Sequence, residues 1–161
     1  MKEQEKELIR EALLLEQEGY EFYQLAAERC EEEEVKLAFV EMAAEEKKHM
    51  DWLQELYRGL EEDESASLNL EDFHKTPDVF NNKVVEPLKS SLAVSVFGIG
   101  VKMEKAAFDY YQEAAKKTEN QKAKELYEEL IRWEKEHLDE FQKEYEMLQQ
   151  NWWNDQHFAP F

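Results

Sequence analysis

The sequence predicts an all-α fold, a bundle of four long helices made of two helical hairpins joined by a long crossover. Charged residues make up 37% of the 161-residue chain and hydrophobic residues 42%, with four glycines and three prolines. This composition is typical of long helices. Apolar residues also recur at alternating steps of three and four in four stretches, which is the spacing of one helix face. We expect one domain over residues 1–150 and an aromatic tail over residues 151–161.

The four predicted helices follow from four apolar stripes, over residues 9–27, 35–56, 94–115 and 123–141. The polar segment CEEEE, around residue 31, separates the first two stripes, and KTENQ, around residue 119, separates the last two. Each segment predicts a tight turn between two antiparallel helices. Residues 61–90 contain two prolines and several polar breaks. About 30 extended residues exceed the length of such a helix, so they can cross over and make the second and third helices parallel.

An internal repeat relates the two hairpins. Sliding the chain on itself by 88 residues aligns EQEGYEFYQLAAERC with EKAAFDYYQEAAKKT without a gap. The same offset aligns EEKKHMDWLQELY with WEKEHLDEFQKEY. Helices rich in Glu and Lys match by chance, but a gapless match that keeps every unusual inward-facing residue is stronger evidence. The chain is therefore predicted to hold two copies of one helical hairpin.

Ionisable residues interrupt the apolar stripes at six positions. These are Glu16, Glu46, His49, Glu104, Glu134 and His137. Each histidine follows a glutamate in a Glu-x-x-His motif, so the two side chains lie about one turn apart on the same helix face. The two glutamates of each hairpin are equally distant from their turn, about 15 residues or ~22 Å along the helix. Antiparallel packing is therefore expected to bring all six side chains together in the middle of the bundle.

This cluster predicts a site for two metal ions. Four carboxylates in a core cannot remain ionised on their own, because unpaired buried charge is costly. Two divalent metals would neutralise them, with both histidines in the neutral, coordinating form. Carboxylate and imidazole ligands without thiolate favour iron or manganese and do not exclude zinc. The alternative is a set of half-exposed glutamates and two hydrogen-bonded core histidines. Two motifs, two further glutamates and one constant offset favour the metal site.

With these residues identified, the chain resembles the ferritin-like di-iron carboxylate superfamily, in which two helices each supply a Glu and two supply Glu-x-x-His. EGYEFYQLAA and EKAAFDYYQEAA resemble the first and third helices of its rubrerythrin branch, and EEKKHMDWL and WEKEHLDEF resemble the second and fourth. The resemblance spans residues 5–148. It implies a ferritin-like four-helix bundle in which the six residues bind two iron ions, with Glu46 and Glu134 as bridges.

Two departures from rubrerythrin bear on function. Full-length rubrerythrins share a second iron site, which is held by paired CxxC motifs. This chain has one cysteine, Cys30, and no CxxC. Electrons would then come from a separate donor protein. Rubrerythrins also carry a second glutamate one turn before the third-helix ligand, where this chain has Val101. Six candidate ligands instead of seven resemble a simpler ferroxidase-type centre.

The resemblance implies a non-haem di-iron oxidoreductase of the peroxidase type, which reduces hydrogen peroxide or dioxygen and forms a homodimer. One alternative is a ferroxidase or iron-storage protein, and another is a structural bundle that the metal only stabilises. A dimer would favour the reductase, and a large shell would favour storage.

Some further residues have two interpretations. The aromatic residues one or two turns from the predicted ligands are Tyr20, Tyr23, Phe108 and Tyr111. They either donate hydrogen bonds or electrons to the site or serve as plain core. His74 and His157 have no partner at ligand spacing, so we expect them to be structural or exposed. The last helix is expected to end before the tail NWWNDQHFAPF, which would cover the bundle or a neighbouring subunit.

Charge and hydropathy exclude some classes of partner. The net charge of −19 argues against nucleic acid and anionic membranes, which both require a basic face. The longest apolar run, LAVSVFGIGV, has half of the ~20 residues that a membrane span needs. The segment MKEQEKEL lacks the apolar core of a signal peptide. We therefore expect a cytoplasmic protein.

Overall fold

Four helices form the part of the chain that the computed structural model describes, residues 2–61 and 91–156. They are α1 (Lys2–Arg29), α2 (Glu33–Glu61), α3 (Ser91–Lys117) and α4 (Gln121–Asp155). Residues 30–32 join α1 to α2, and residues 118–120 join α3 to α4, at the two predicted turns. The predicted all-α bundle of two hairpins is confirmed. The predicted crossover over residues 61–90 lies outside the described residues, apart from Glu61, at which α2 ends.

The turn between α3 and α4 is fixed by side-chain hydrogen bonds. The Asn120 side chain accepts a hydrogen bond from the backbone N–H of Ala123 at 3.0 Å, which caps the N-terminus of α4. The hydroxyl of Thr118 accepts a bond from the backbone N–H of Asn120 at 3.1 Å. These bonds satisfy backbone donors that the first turn of a helix leaves without intrahelical partners.

The packing of the helices determines which interior residues lie opposite one another. The closest packing is within each hairpin, α1 with α2 and α3 with α4, while α1 also contacts α3 and α2 also contacts α4. Tyr23 of α1 reaches Glu104 of α3, and Glu16 of α1 reaches Tyr111 of α3. Later residues of α1 thus meet earlier residues of α3, so these helices are antiparallel. It follows that α2 and α3 are parallel, as the predicted crossover requires.

Helix α4 is longer than predicted. We expected the last helix to end before residue 151, but α4 continues through Trp152 and Trp153 to Asp155. The prediction was wrong because the sequence holds no glycine or proline between residue 121 and Pro160, so nothing breaks the helix there. The first six residues of the predicted tail thus extend the helix and its C-cap, Gln156, and the other five lie outside the described residues.

The apolar stripes bury two clusters, one toward each end of the bundle. The cluster nearer the α1–α2 turn contains Tyr23, Ala26, Ala27, Val35, Ala38, Phe39, Met42, Ala43, Phe97, Phe141 and Leu148. The cluster nearer the α3–α4 turn contains Leu8, Ile9, Ala12, Leu53, Leu56, Tyr111, Ala114, Ala123, Leu126, Tyr127 and Leu130. On every helix, the predicted ligand positions lie between these clusters. The burial of apolar area on both sides supplies most of the driving force for folding.

Within residues 2–61 and 91–156, every helix is too polar or too short in its apolar stretch to cross a bilayer.

We expect Gly100→Ala to destabilise the bundle. A Cβ at Gly100 would lie 2.6 Å from two ring carbons of Phe141, which is too close for any real contact. Overpacking of this kind costs about 1–3 kcal/mol, whereas alanine in a helix gains at most about 1 kcal/mol over glycine. Urea unfolding should therefore show a lower midpoint for Gly100→Ala. Gly59→Ala, in the last turns of α2, serves as the control and should not lower it. A midpoint for Gly100→Ala equal to or above that of the wild type would contradict the predicted clash.

Candidate metal centre

The structure brings all six predicted ligands together in the interior. They are Glu16, Glu46 and His49 of the first hairpin and Glu104, Glu134 and His137 of the second. None of the six exposes more than 4% of its surface. The sequence alternative of half-exposed glutamates therefore does not describe this cluster.

The six residues form two overlapping groups. In the first, Glu16, Glu46, His49 and Glu134 each offer a ligand atom, and these four atoms lie within 4.8 Å of one another. The second group meets the same criterion with Glu46, Glu104, Glu134 and His137. Glu46 and Glu134 belong to both groups, which is the arrangement expected of two carboxylates between two metal ions.

Short contacts surround His49. Its Nδ1 lies 3.1 Å from Glu16 Oε2, in hydrogen-bonding geometry, and 3.1 Å from Glu134 Oε1. Glu46 Oε2 is 3.5 Å from the same nitrogen. On the other side of the centre, Nδ1 of His137 lies 3.6 Å from Glu104 Oε2. Three carboxylates therefore face one imidazole nitrogen, and a cation is the natural partner of such a group.

The electrostatics of the protein alone show the same need for positive charge. Burial and the nearby charge of Glu16 raise the pKa of Glu46 well above its usual range, and they do the same to the pKa of Glu134. Burial alone would lower the pKa of His49, but the charge of Glu16 and the close contacts with the surrounding carboxylates raise it well above its ordinary value. Burial alone would raise the pKa of Glu16, yet the charge of His49 lowers it. Protons thus compensate the carboxylates when no metal does.

Several buried polar atoms in the described residues have no hydrogen-bond partner. In the six-residue cluster they are His49 Nε2, both ring nitrogens of His137, Glu104 Oε2 and both carboxylate oxygens of Glu134. Buried groups of this kind normally make a hydrogen bond, because leaving one unpaired costs free energy. Imidazole nitrogen and carboxylate oxygen are also the ligand types that iron, manganese and zinc accept. The residues therefore fit a pair of divalent metal ions.

Two tyrosines bind the outer carboxylates. The hydroxyl of Tyr23 donates to Glu104, and that of Tyr111 donates to Glu16, so each hairpin supplies the donor for the other. Burial and the charge of its partner raise the pKa of each phenol well above its usual range, which keeps both protonated as donors. Both rings also belong to the apolar clusters. Each tyrosine therefore both donates a hydrogen bond to the site and forms part of the core.

The other singled-out residues lie outside the cluster. Tyr20 is half-buried, and its hydroxyl accepts a hydrogen bond from Gln24 at 2.7 Å. Phe108 is half-buried. Val101 is half-buried against the apolar cluster that contains Phe97. The position at which rubrerythrins carry a second glutamate is therefore apolar here. The predictions for His74 and His157 concern residues outside the described part of the chain.

Sequence reasoning missed Gly19, which lies against a bridging candidate. A Cβ at this position would be 3.2 Å from Glu46 Cδ and 3.3 Å from Glu46 Oε1. The available signal was a glycine in the interior of a long helix, where it costs about 1 kcal/mol relative to alanine. Gly19 thus leaves room for the Glu46 carboxylate.

We expect Gly19→Ala to weaken metal binding without destabilising the metal-free protein. The new methyl group would displace the Glu46 carboxylate by a few tenths of an ångström, while alanine favours the helix. Changes beside a ligand typically reduce metal affinity about 10–100-fold, so a fall of at least about tenfold should appear in competition titrations with a chelator. Gly59→Ala should leave the affinity unchanged. Unchanged affinity in Gly19→Ala would show that Glu46 does not need this space.

Together, a two-hairpin bundle and a buried set of four carboxylates and two imidazoles that could hold metal define the class of ferritin-like four-helix bundles. The family model of rubrerythrin matches residues 7–145 of this chain. The chain therefore belongs to the rubrerythrin family, which confirms the resemblance seen in the sequence. Comparisons with curated proteins and with solved structures gave no match.

Proposed function

We propose that this chain is a rubrerythrin-like di-iron oxidoreductase that reduces hydrogen peroxide or dioxygen at the centre of its bundle. The observation that carries the proposal is the pair of four-residue groups that share Glu46 and Glu134. In this proposal Glu16 and His49 would hold one iron, Glu104 and His137 would hold the other, and the shared Glu46 and Glu134 would serve both. Manganese or zinc fit the same ligands. When bound, a reduced iron pair supplies two electrons and a Lewis acid to the O–O bond.

The protein's own residues would hold and enclose this centre. Tyr23 and Tyr111 fix one oxygen each of Glu104 and Glu16, which leaves the second oxygen of each carboxylate for metal. The apolar clusters on both sides limit the access of water and strengthen the electrostatic interactions inside. His49 must lose its proton before its Nδ1 can bind a cation, so metal binding is coupled to proton release.

The source of electrons is part of the proposal. With one cysteine in the chain, the CxxC iron site of full-length rubrerythrins has no equivalent in this sequence. We infer that a separate donor protein restores the reduced state after each reaction. The homodimer and the cytoplasmic location remain predictions from sequence.

We expect the reduced, iron-loaded protein to be oxidised faster by hydrogen peroxide than by dioxygen, with two electrons released per centre. Anaerobic stopped-flow mixing with each oxidant, followed by iron absorption, measures both rates. Glu46→Ala, which should not retain the iron pair, serves as the control for reactions of free iron. Oxidation by neither reagent, with two irons bound, would contradict the oxidoreductase and leave the structural role.

Iron oxidation and storage is the second candidate. Val101 supports it, because this half-buried apolar residue leaves six candidate ligands. Storage predicts preference for dioxygen and a ferric mineral that grows as Fe(II) is added beyond two equivalents. Light scattering and sedimentation under these conditions separate a mineral-filled shell from a small oligomer with a fixed iron content.

A further inference from the structure

Two tryptophans contact the candidate ligand His49. The ring centroid of His49 lies 5.6 Å from that of Trp52 and 5.4 Å from that of Trp133. The two indoles also contact each other at 5.6 Å, edge to face. Trp133 further approaches His137, with 6.4 Å between the ring centroids. Three aromatic rings are thus in mutual contact on one side of the candidate centre.

This cluster leads from the interior to the surface. His49 and Trp133 are fully buried, whereas Trp52 is half-buried on α2. The Trp133 indole N–H donates to Glu129 Oε1 at 3.3 Å. The ammonium of Lys48 lies 5.0 Å above the Trp133 ring, and Lys48 also pairs with Glu45 at 3.1 Å. The Trp133 indole is therefore held in place, and Trp52 forms the outer end of the cluster.

The two indoles have no aromatic counterparts in the internal repeat. At the offset of 88 that relates His49 to His137, the counterpart of Trp52 is Glu140 and the counterpart of Trp133 is Glu45. The repeat keeps the histidines and replaces both indoles. The surroundings of His49 and His137 are therefore alike in candidate ligands and different in the aromatic residues that lie between the ligand and the surface.

We propose that Trp52 and Trp133 are relay residues that conduct electrons from an external one-electron carrier through His49 to the metal pair. The inference rests on the proposed function. Each transfer oxidises the carrier by one electron and reduces one metal ion by one, and two transfers restore the reduced pair. Neither indole is left oxidised. The ammonium of Lys48 above Trp133 disfavours loss of an electron from that ring. The ring is therefore suited to conducting electrons and not to remaining as an oxidised radical.

The repeat also supplies a matched test. Asp51 and Asp139 occupy equivalent positions, each two residues after its histidine, with side chains 58% and 61% exposed. Each pairs with the lysine four residues before it. In a Cys30→Ser background, Asp51→Cys and Asp139→Cys would each be labelled with a ruthenium photoreductant. After a laser flash, the loss of ferric absorption measures the rate of electron arrival, without any substrate turnover.

We expect the label at residue 51 to reduce the ferric centre roughly tenfold faster than the label at residue 139, equivalent to about 1.4 kcal/mol in the barrier. Trp52→Glu, which copies the residue of the other hairpin, should remove this advantage. Trp52→Phe should retain part of it, because an aromatic ring remains. Iron content and circular dichroism of each variant show whether the fold and the centre are intact.

The outcomes separate the relay from the proposed function. Equal rates from both labels, in a protein whose ferric centre is reduced by dithionite, would overturn the relay and leave the oxidoreductase standing. An unchanged rate in Trp52→Glu would also overturn it. A centre that dithionite does not reduce would instead contradict the proposed function.

Discussion

Replacement of Glu46 or Glu134 by alanine should release metal from both positions of the centre. Each of these glutamates belongs to both four-residue groups, so its loss removes a ligand from two ions at once. Metal analysis after purification under reducing conditions should fall from about two ions per chain to nearly none, since even partners of ligands change metal affinity about 10–100-fold. The bundle should remain folded, because its stability comes mainly from the two apolar clusters.

Three matched variants make this result specific. Glu16→Ala and Glu104→Ala each remove a residue that belongs to one group, so each should leave one position occupied. Glu45→Ala, beside Glu46 on the same helix, removes a buried carboxylate that pairs with Lys48 and belongs to neither group. It should retain both ions. Loss of a single ion from Glu46→Ala or Glu134→Ala would show that the bridging assignment is wrong.

The metal-free protein should lose stability as the pH rises from about 5 to 8. The pKa values of Glu46 and Glu134 are raised in the fold, so the folded state keeps protons that the unfolded state releases above about pH 4.3. The raised pKa of His49 stabilises the fold below about pH 6.5, and this contribution is lost as the pH rises through the folded value. The lowered pKa of Glu16 acts in the opposite direction, but its contribution is complete above about pH 5.

The size of this effect follows from the number of excess protons. Each proton that only the folded state holds changes the unfolding free energy by about 1.4 kcal/mol per pH unit. Urea titrations with a chelator present, at several pH values, measure the slope. Glu134→Gln removes one titrating carboxyl while keeping its shape, so its slope should be smaller. Bound metal should reverse the trend, because metal competes with protons for the same atoms. A metal-free protein that is more stable at pH 8 than at pH 5.5 would contradict this account.

Much of the fold and the centre could be predicted from sequence because both depend on spacing. Glu46 and His49, three residues apart in a helical stripe, must share a face, and symmetric distances from the turns must bring the hairpins' carboxylates to one level. The positions of both turns followed from polar segments between apolar stripes. The six-residue cluster is thus a consequence of helical periodicity combined with antiparallel packing.

Other features depend on distances between helices, which spacing does not determine. Whether Tyr23 donates to a carboxylate or only fills the core depends on the direction of its hydroxyl. The need for Gly19 depends on how closely α1 approaches Glu46. The contact of Trp133 with His49 joins residues of different hairpins. Each is set by tertiary packing. The end of α4 differs from the prediction because a polar, aromatic composition is compatible with a helix as well as with a tail.

The sharing of residues between the hairpins has a consequence for the ancestry of the chain. Glu134 of the second hairpin completes the first group, and Glu46 of the first completes the second. A single hairpin holds three of the six residues and lacks a complete group. If duplication and fusion produced the repeat, the ancestral hairpin could assemble this centre only by pairing with another copy of itself. Binding of the metal pair would then be older than the covalent link between the halves, and fusion would have freed each half to diverge, as Trp52 and Glu140 have done.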